Sequence, residues 1–206
     1  IAIPASVTSI GNYAFEHCSS LQSITIPTGI SSVSEYTFSC CINLQSILIS
    51  TNVTSINDFA FSHCSNLQSI IIPSSVASIG DSAFYDCESV ECDSLHYASN
   101  EGILFSKNFE KLLVFPAKHH FINYTIPTTV TSIANSAFYD CANLESITIP
   151  SSVTSIGRKA FSHCSNLQSI IIPSEITSIG KSMFSDCYNL ESITIPSNVT
   201  SICKSA

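Results

Sequence analysis

The sequence predicts an α/β solenoid, with short parallel strands and one short helical or 3-10 turn in each repeat. Three observations lead to this fold class. A 23-residue pattern recurs along the 206-residue chain, every copy carries large apolar residues at the same positions, and no single helical or strand period runs through a whole copy. One turn of a stacked coil per copy fits all three.

The repeat has the consensus I-P-x-x-V-x-S-I-G-x-x-A-F-x-x-C-x-N-L-x-S-I-x. Copies follow one another without gaps in two series, one before and one after an interruption. They open at Ile3, Ile26, Ile49, Ile72, Ile126, Ile149 and Ile172, and a shortened copy opens at Ile195. So many matching copies cannot be a chance similarity.

Each part of the repeat predicts its own local structure. The segment L-x-S-I-x-I, as in Leu167–Ile172, alternates and is rich in β-branched residues, which indicates a short strand. The proline that follows, such as Pro173, cannot donate to a strand ladder and so ends the strand. The segment V-x-S-I indicates a second extended piece. Only G-x-x-A-F-x-x-C has helical spacing, and it predicts one or two helical or 3-10 turns.

A single copy of the repeat cannot fold alone, because ordering it costs more free energy than burial of its few apolar side chains returns. Stacked copies add ladder hydrogen bonds and cover each other's flat faces. The sequence therefore predicts one continuous array over residues 1–206.

Composition narrows the classes of partner. The chain is 45% hydrophobic and only 11% charged, and its net charge of −8 disfavours nucleic acid or an anionic membrane as a partner. No apolar run is long enough to span a bilayer, so no membrane insertion is expected. Because Ile1 opens in mid-pattern, we expect the chain to be a fragment of a longer protein.

The repeat resembles the BspA-like leucine-rich repeat family, and the resemblance covers essentially the whole chain. It implies a leucine-rich-repeat solenoid within a cell-surface or secreted protein, associated with adhesion to host cells or matrix. It does not identify a ligand, because repeat families share a scaffold and vary its surface.

One interruption divides the array. The stretch from Ile72 to Ile126 corresponds to one repeat and a 31-residue insertion, most of it in residues 95–120. Two apolar runs in it, Gly102–Ser106 and Lys111–Pro116, suggest a β-hairpin or a looped-out coil. The insert is either a protruding binding element or a structural variation that bends the solenoid.

Seven of the ten cysteines occupy one position of the repeat, three residues after the phenylalanine. We expect them to be buried thiols rather than disulfides, since they lie within the apolar pattern. Cys92 and Cys203 lie outside this position and are the better candidates for pairing.

No metal site, cofactor or catalytic site is predicted. His17, Cys40, His63 and Asp86 precede the cysteine in four successive repeats, as do Asp140, His163 and Asp186 later. A column spreads such ligands along a line, whereas zinc needs three or four that converge. Motifs typical of hydrolases or nucleotide-binding enzymes are missing from the sequence, and we expect no enzymatic activity.

A binding surface is predicted on the outer face of the L-x-S-I-x-I strands. Leucine and isoleucine point inward there, so the residues between them face outward. The predicted surface residues are Gln22, Thr25, Gln45, Leu48, Gln68, Ile71, Glu145, Thr148, Gln168, Ile171, Glu191 and Thr194. Amides beside exposed aliphatic side chains are typical of protein contacts.

The sequence thus predicts a recognition module that binds a protein or a matrix or glycan ligand, with self-association through uncapped ends as a further possibility. A structural spacer array of a large envelope protein and an intracellular interaction scaffold are the alternatives. Three N-x-T triplets, at Asn52, Asn123 and Asn198, are potential glycosylation sites of an exported chain.

Overall fold

The computed structural model describes residues 1–67, 70–87, 90–92 and 94–206. The chain divides into two compact units, Ile1–Lys107 and Asn108–Ala206. Both units are β-solenoids of short parallel strands, as the repeat predicted.

The strands of the first unit alternate between three and two residues and end in two four-residue strands. Their bounds are β1 (Ser23–Thr25), β2 (Ser32–Val33), β3 (Ser46–Leu48), β4 (Ser55–Ile56), β5 (Ile70–Ile72), β6 (Ser78–Ile79), β7 (Val90–Cys92), β8 (Tyr97–Asn100) and β9 (Ile103–Ser106).

The second unit repeats the alternation of three-residue and two-residue strands after an initial longer strand. Its strands are β10 (Lys111–Val114), β11 (Asn123–Thr125), β12 (Ser132–Ile133), β13 (Ser146–Thr148), β14 (Ser155–Ile156), β15 (Ser169–Ile171), β16 (Ser178–Ile179), β17 (Ser192–Thr194) and β18 (Ser201–Ile202).

The parallel register follows the repeat length. Thr25 of β1 lies opposite Leu48 of β3, and Ile171 of β15 lies opposite Thr194 of β17, so each residue meets its equivalent in the next copy. The register changes once in the first unit, where Ile71 of β5 lies opposite Glu91 of β7, less than one repeat length further along the chain. The change occurs just before the predicted insert.

Helical turns were predicted wrongly. In the described residues no helix forms at G-x-x-A-F-x-x-C, because two residues of the segment have a left-handed backbone, such as Tyr13 (φ 62°) and His17 (φ 58°). A right-handed helix cannot continue through such residues. The amides of both instead donate to the next coil, to the carbonyls of Glu35 and Ser39. The fold class is therefore all-β, and the sharp turns add a third line of bonds between coils.

The core is a column of stacked side chains inside each unit. Phe38, Phe61 and Phe84 are fully buried, and neighbouring rings lie 5.5 and 5.7 Å apart, centroid to centroid. In the second unit Phe138 and Phe161 stack at 5.2 Å. Leucine, isoleucine and valine of the consensus line the rest of each core.

The predicted insert contains regular structure. β8 and β9 form an antiparallel hairpin, whose two-residue turn at Glu101 (φ 53°) and Gly102 (φ 77°) has the backbone that tight hairpins need. In the second unit, β10 joins the parallel ladder, with Leu112 opposite Ile133. That residues 95–120 act as one inserted segment of a single array stays a prediction.

Candidate binding surface

The outward-facing side chains of the three-residue strands form regular columns. In β1 and β13 the first and third residues are exposed and the middle one is buried. Alternation along a strand and register between strands together place equivalent side chains side by side, about 4.8 Å apart.

Every described residue of the predicted surface is exposed. In the first unit these are Gln22, Thr25, Gln45, Leu48 and Ile71, and in the second unit Glu145, Thr148, Gln168, Ile171, Glu191 and Thr194. Gln68 lies outside the described residues. Exposure is what binding requires, but it does not by itself identify a ligand.

Large aliphatic side chains stand on the outer face of both units. In the first unit Leu48 and Ile71 are each 65% exposed, and in the second Ile171 is 68% exposed. Thr25 lies beside Leu48, and Thr194 lies beside Ile171. No core contact accounts for side chains this hydrophobic in these positions.

Sequence reasoning missed two features of the surface. A serine column lies between the amide and aliphatic columns, because the first strand residue also faces outward; it comprises Ser23, Ser46, Ser146, Ser169 and Ser192. The second feature is Ile122, which lies next to Glu145 at the position where other coils have glutamine or glutamate; its side chain is 51% exposed. The alternation of L-x-S-I-x-I contained the signal for the serines.

The charges on the outer face are acidic. Glu145 and Glu191 stand on the second unit, and Glu91 on the first, where the changed register places it beside Ile71. The Glu91 carboxylate accepts a hydrogen bond from the hydroxyl of Ser99 in the hairpin, at 3.1 Å. The hairpin thus contacts one end of the outer face of the first unit.

The repeated asparagine of C-x-N-L holds neighbouring coils together. The side-chain amide of Asn43 donates to the carbonyl of Ser19, and that of Asn66 donates to the side-chain oxygen of Asn43. Asn189 and Asn166 repeat the latter bond. Amide side chains at this position thus link successive coils.

The histidine and aspartate column forms pairs. His63 lies 3.5 Å from Asp86, and His163 lies 3.4 Å from Asp186. Hydrogen bonds from Ser185 and Tyr188, with the nearby His163, lower the pKa of Asp186. Across the described ranges, no three potential ligands converge on one point that could hold a metal ion.

The repeated cysteines are thiols inside the coils. Five of the seven are buried as expected, whereas Cys18 and Cys187 are half-buried. The Sγ of Cys64 donates to the carbonyl of Phe38 in the preceding coil at 3.2 Å, and Cys164 repeats this bond to Phe138 at 3.0 Å. Cys203, a candidate for pairing, is an exposed thiol.

The three potential glycosylation sites are all exposed. The side-chain nitrogens of Asn52 and Asn198 donate to carbonyls of the preceding coil, at Thr28 and Ser174. Asn123 differs, since its side-chain oxygen accepts a hydrogen bond from Ser146. Attachment of a glycan at any of them stays a prediction.

Residues 1–110 and 114–206 match the family described as BspA type leucine rich repeat region, in six copies. The protein belongs to this family, as the resemblance of its repeat predicted. Known members of such repeat families typically bind other proteins and are typically not enzymes.

Solved structures share the fold. A leucine rich cell surface protein from Faecalibacterium prausnitzii A2-165 is 37% identical, with a TM-score of 0.85 over 96% of this chain and 54% of that one. The pneumococcal vaccine antigen PcpA is 22% identical, with a TM-score of 0.80 over 100% of this chain and 65% of that one. The chain thus spans about half the length of the Faecalibacterium protein.

No curated protein matches the chain. Among the described residues, no helix is long and apolar enough to cross a membrane.

Proposed function

We propose that this chain is a non-enzymatic recognition module of a cell-surface adhesion protein. The proposal rests first on family membership and on the 37% identical relative, which is described as a leucine rich cell surface protein. Solenoids of this kind offer long, regular surfaces that suit macromolecules better than small substrates. The ligand we propose is a protein of the host cell or its matrix.

The observation that supports the outer sheet face as the binding site is the exposure of Leu48, Ile71 and Ile171. Strand propensity alone would be met equally well by threonine, which occupies the same column at Thr25, Thr148 and Thr194. An aliphatic side chain in water gains stabilisation only when a partner covers it. Serine and amide columns beside it can supply the polar rim of an interface.

The first prediction tests this face by adding charge to it. Substitution Leu48→Lys, Ile71→Lys and Ile171→Lys in one variant should abolish binding to fixed epithelial cells and to immobilised matrix proteins. We expect at least about a hundredfold loss, because an apolar contact on the outer face of either unit would then have to bury an unpaired lysine charge. Fold retention is checked by circular dichroism.

A matched control adds the same three charges elsewhere. Ala77→Lys, Thr128→Lys and Ser151→Lys alter exposed residues outside the sheet face and should leave adhesion unchanged. Full adhesion by the folded sheet-face variant would rule out the proposed site. Loss of adhesion in both variants would indicate sensitivity to net charge alone. If the parent chain adheres to nothing in these assays, the spacer or scaffold function replaces the proposal.

A further inference from the structure

Charge is divided unequally between the two units. Residues 1–107 contain nine acidic residues and one lysine, and therefore hold the whole net charge of −8. Residues 108–206 contain six acidic and six basic residues and are neutral. The difference is concentrated at one position of the repeat, immediately after the consensus glycine.

In the first unit this position holds Glu35, Asp58 and Asp81, which we name the acidic stripe. Backbone hydrogen bonds show that they are neighbours. The amide of Tyr36 donates to the carbonyl of Asp58, and the amide of Phe59 donates to the carbonyl of Asp81, at 3.1 Å in both cases. The Asp58 carboxylate also accepts the amide of Asp81 at 2.8 Å. The pKa of Tyr36 is raised, most strongly by burial and then by the Tyr13 hydroxyl. The nearby carboxylates of Asp58 and Glu35 raise it further.

In the second unit the same position holds Arg158, Lys181 and Lys204, which we name the basic stripe; all three are exposed. Their register follows the same pattern. The amide of Ser136 donates to the carbonyl of Arg158 at 3.0 Å, that of Lys159 donates to Lys181 at 3.0 Å, and that of Ser182 donates to Lys204 at 3.2 Å.

The fold itself does not require charges at this position. The equivalent position is occupied by Asn12 in the coil before the acidic stripe and by Asn135 in the coil before the basic stripe. The side chain of Asn135 accepts the amide of Arg158 at 3.0 Å, as Asp58 does for Asp81, so an uncharged residue makes the same bond. Stacking like charges about 4.8 Å apart costs stability in a free molecule.

The two stripes match each other in number and spacing. Each has three charges, and both have the spacing of one coil, because both arise from the same repeat. A row of three carboxylates is complementary to a row of three cations with the same period. Such a match relieves the repulsion within both rows.

We propose that the basic stripe of one copy binds the acidic stripe of a second copy of this chain. The contact uses different surfaces of the two copies, so it can propagate from copy to copy. Exposed ion pairs contribute little each and are screened by salt. The association is therefore weak in dilute solution and effective where copies are crowded, which would give an adhesive surface several binding faces at once.

A linear polyanion is the other partner that a basic stripe could bind. Such a polyanion does not share the one-coil spacing of the stripe, whereas the acidic stripe of a second copy has that spacing and the same number of charges. The observations therefore favour the second copy.

The second prediction tests this with two charge-changed variants of the full chain. One carries Glu35→Lys, Asp58→Asn and Asp81→Lys, where asparagine keeps the bond to the amide of residue 81. The other carries Arg158→Glu, Lys181→Glu and Lys204→Glu. Sedimentation velocity at rising protein concentration measures association in about 50 mM and about 500 mM salt.

The parent should associate at low salt, and its apparent dissociation constant should weaken about tenfold or more at high salt. Each variant alone should remain monomeric. An equimolar mixture should associate again, because the intact basic stripe of the first variant can then bind the intact acidic stripe of the second. Thermal melting confirms that both variants are folded.

A control variant has the same net charge as the second variant but an intact stripe. It carries Lys107→Glu, Lys111→Glu and Lys118→Glu and should associate like the parent. A monomeric parent at low salt, or variants that associate unmixed, would overturn the proposal. A mixture that stays monomeric would overturn it too. Binding to immobilised heparin that the basic-stripe variant loses, without any self-association, would assign the stripe to a polyanion instead.

Discussion

At the scale of single residues, the repeated cysteine shows how burial and hydrogen bonding act on one side chain. Each buried thiol donates to a phenylalanine carbonyl of the preceding coil, as Cys64 does to Phe38. Burial raises the pKa of Cys41 to about 11 and that of Cys187 to about 12, and it also raises the pKa values of Cys64 and Cys141. These side chains are thus neutral packing groups and poor nucleophiles at neutral pH.

The third prediction follows from these pKa values. A thiol whose folded pKa lies above its unfolded value stabilises the fold fully below the unfolded pKa, and this contribution is lost as pH rises toward the folded pKa. For Cys41 the unfolded value is 9.0 and the folded value about 11. The free energy of unfolding should therefore fall as the pH rises from about 9 to about 11.

Urea unfolding at a series of pH values measures the effect. A variant with Cys41→Ala and Cys64→Ala should be less stable at pH 7, because it leaves cavities, but its stability should decline less above pH 9. Equal declines in the parent and the variant would contradict the assignment to these thiols.

At the scale of structural elements, the turn segment after the consensus glycine decides the fold class. It contains two left-handed residues per repeat, and none of those described is glycine; His63 (φ 59°) and Ser182 (φ 53°) are examples. Each such residue costs about 1 kcal/mol or more relative to a right-handed backbone. Hydrogen bonds to the next coil compensate this cost, as in the amide of Ser182, which donates to the carbonyl of Lys204.

The fourth prediction uses that backbone cost. Ser182→Gly should stabilise the protein by about 1 kcal/mol, because glycine adopts the left-handed backbone without steric conflict. Ser182→Val should destabilise it by more than about 1 kcal/mol, because a β-branched side chain fits that backbone poorly. Thermal and urea unfolding measure both.

Ser151 provides the control, because it is exposed and is not left-handed. Ser151→Gly should be neutral or destabilising, since glycine gains freedom mainly in the unfolded chain. The same sign of change at Ser151 and Ser182 would argue against left-handed strain at Ser182.

At the scale of the molecule, stability comes from contacts between neighbouring coils, so it varies along each unit. In the second unit Ile170 of β15 is 2% exposed and Ile179 of β16 is 1% exposed. Their equivalents in the last strands, Ile193 of β17 and Ile202 of β18, are 36% and 61% exposed. A coil with one neighbour should open more easily than a coil with two.

The fifth prediction is a gradient of amide hydrogen exchange within the second unit. Amides of β15 and β16 should exchange at least about tenfold more slowly than those of β17 and β18, which corresponds to about 1.4 kcal/mol of local stability. Exchange followed by mass spectrometry resolves these segments. Uniform protection across all four strands would show that the unit opens as one cooperative block.

The sequence by itself determined the repeat, the strands, the inward side of each strand and the family. These follow from local rules. Alternation determines which side of a strand is buried, and the constant period of the repeat determines which residues of successive coils stack on each other. The burial of five of the seven repeated thiols followed for the same reason. Outward exposure of the predicted surface residues, such as Leu48 and Ile171, was also derived correctly from alternation.

Tertiary structure decided what depends on bonds between coils. The spacing of G-x-x-A-F-x-x-C suits a helical turn locally, but amides such as that of Tyr13 find better partners in the next coil, and only left-handed residues allow them to reach it. The register change at Glu91 was likewise hidden, since pairing and not sequence spacing sets which residues meet. The stripes of like charge became visible for the same reason: residues one repeat apart in sequence are neighbours only once the coils stack.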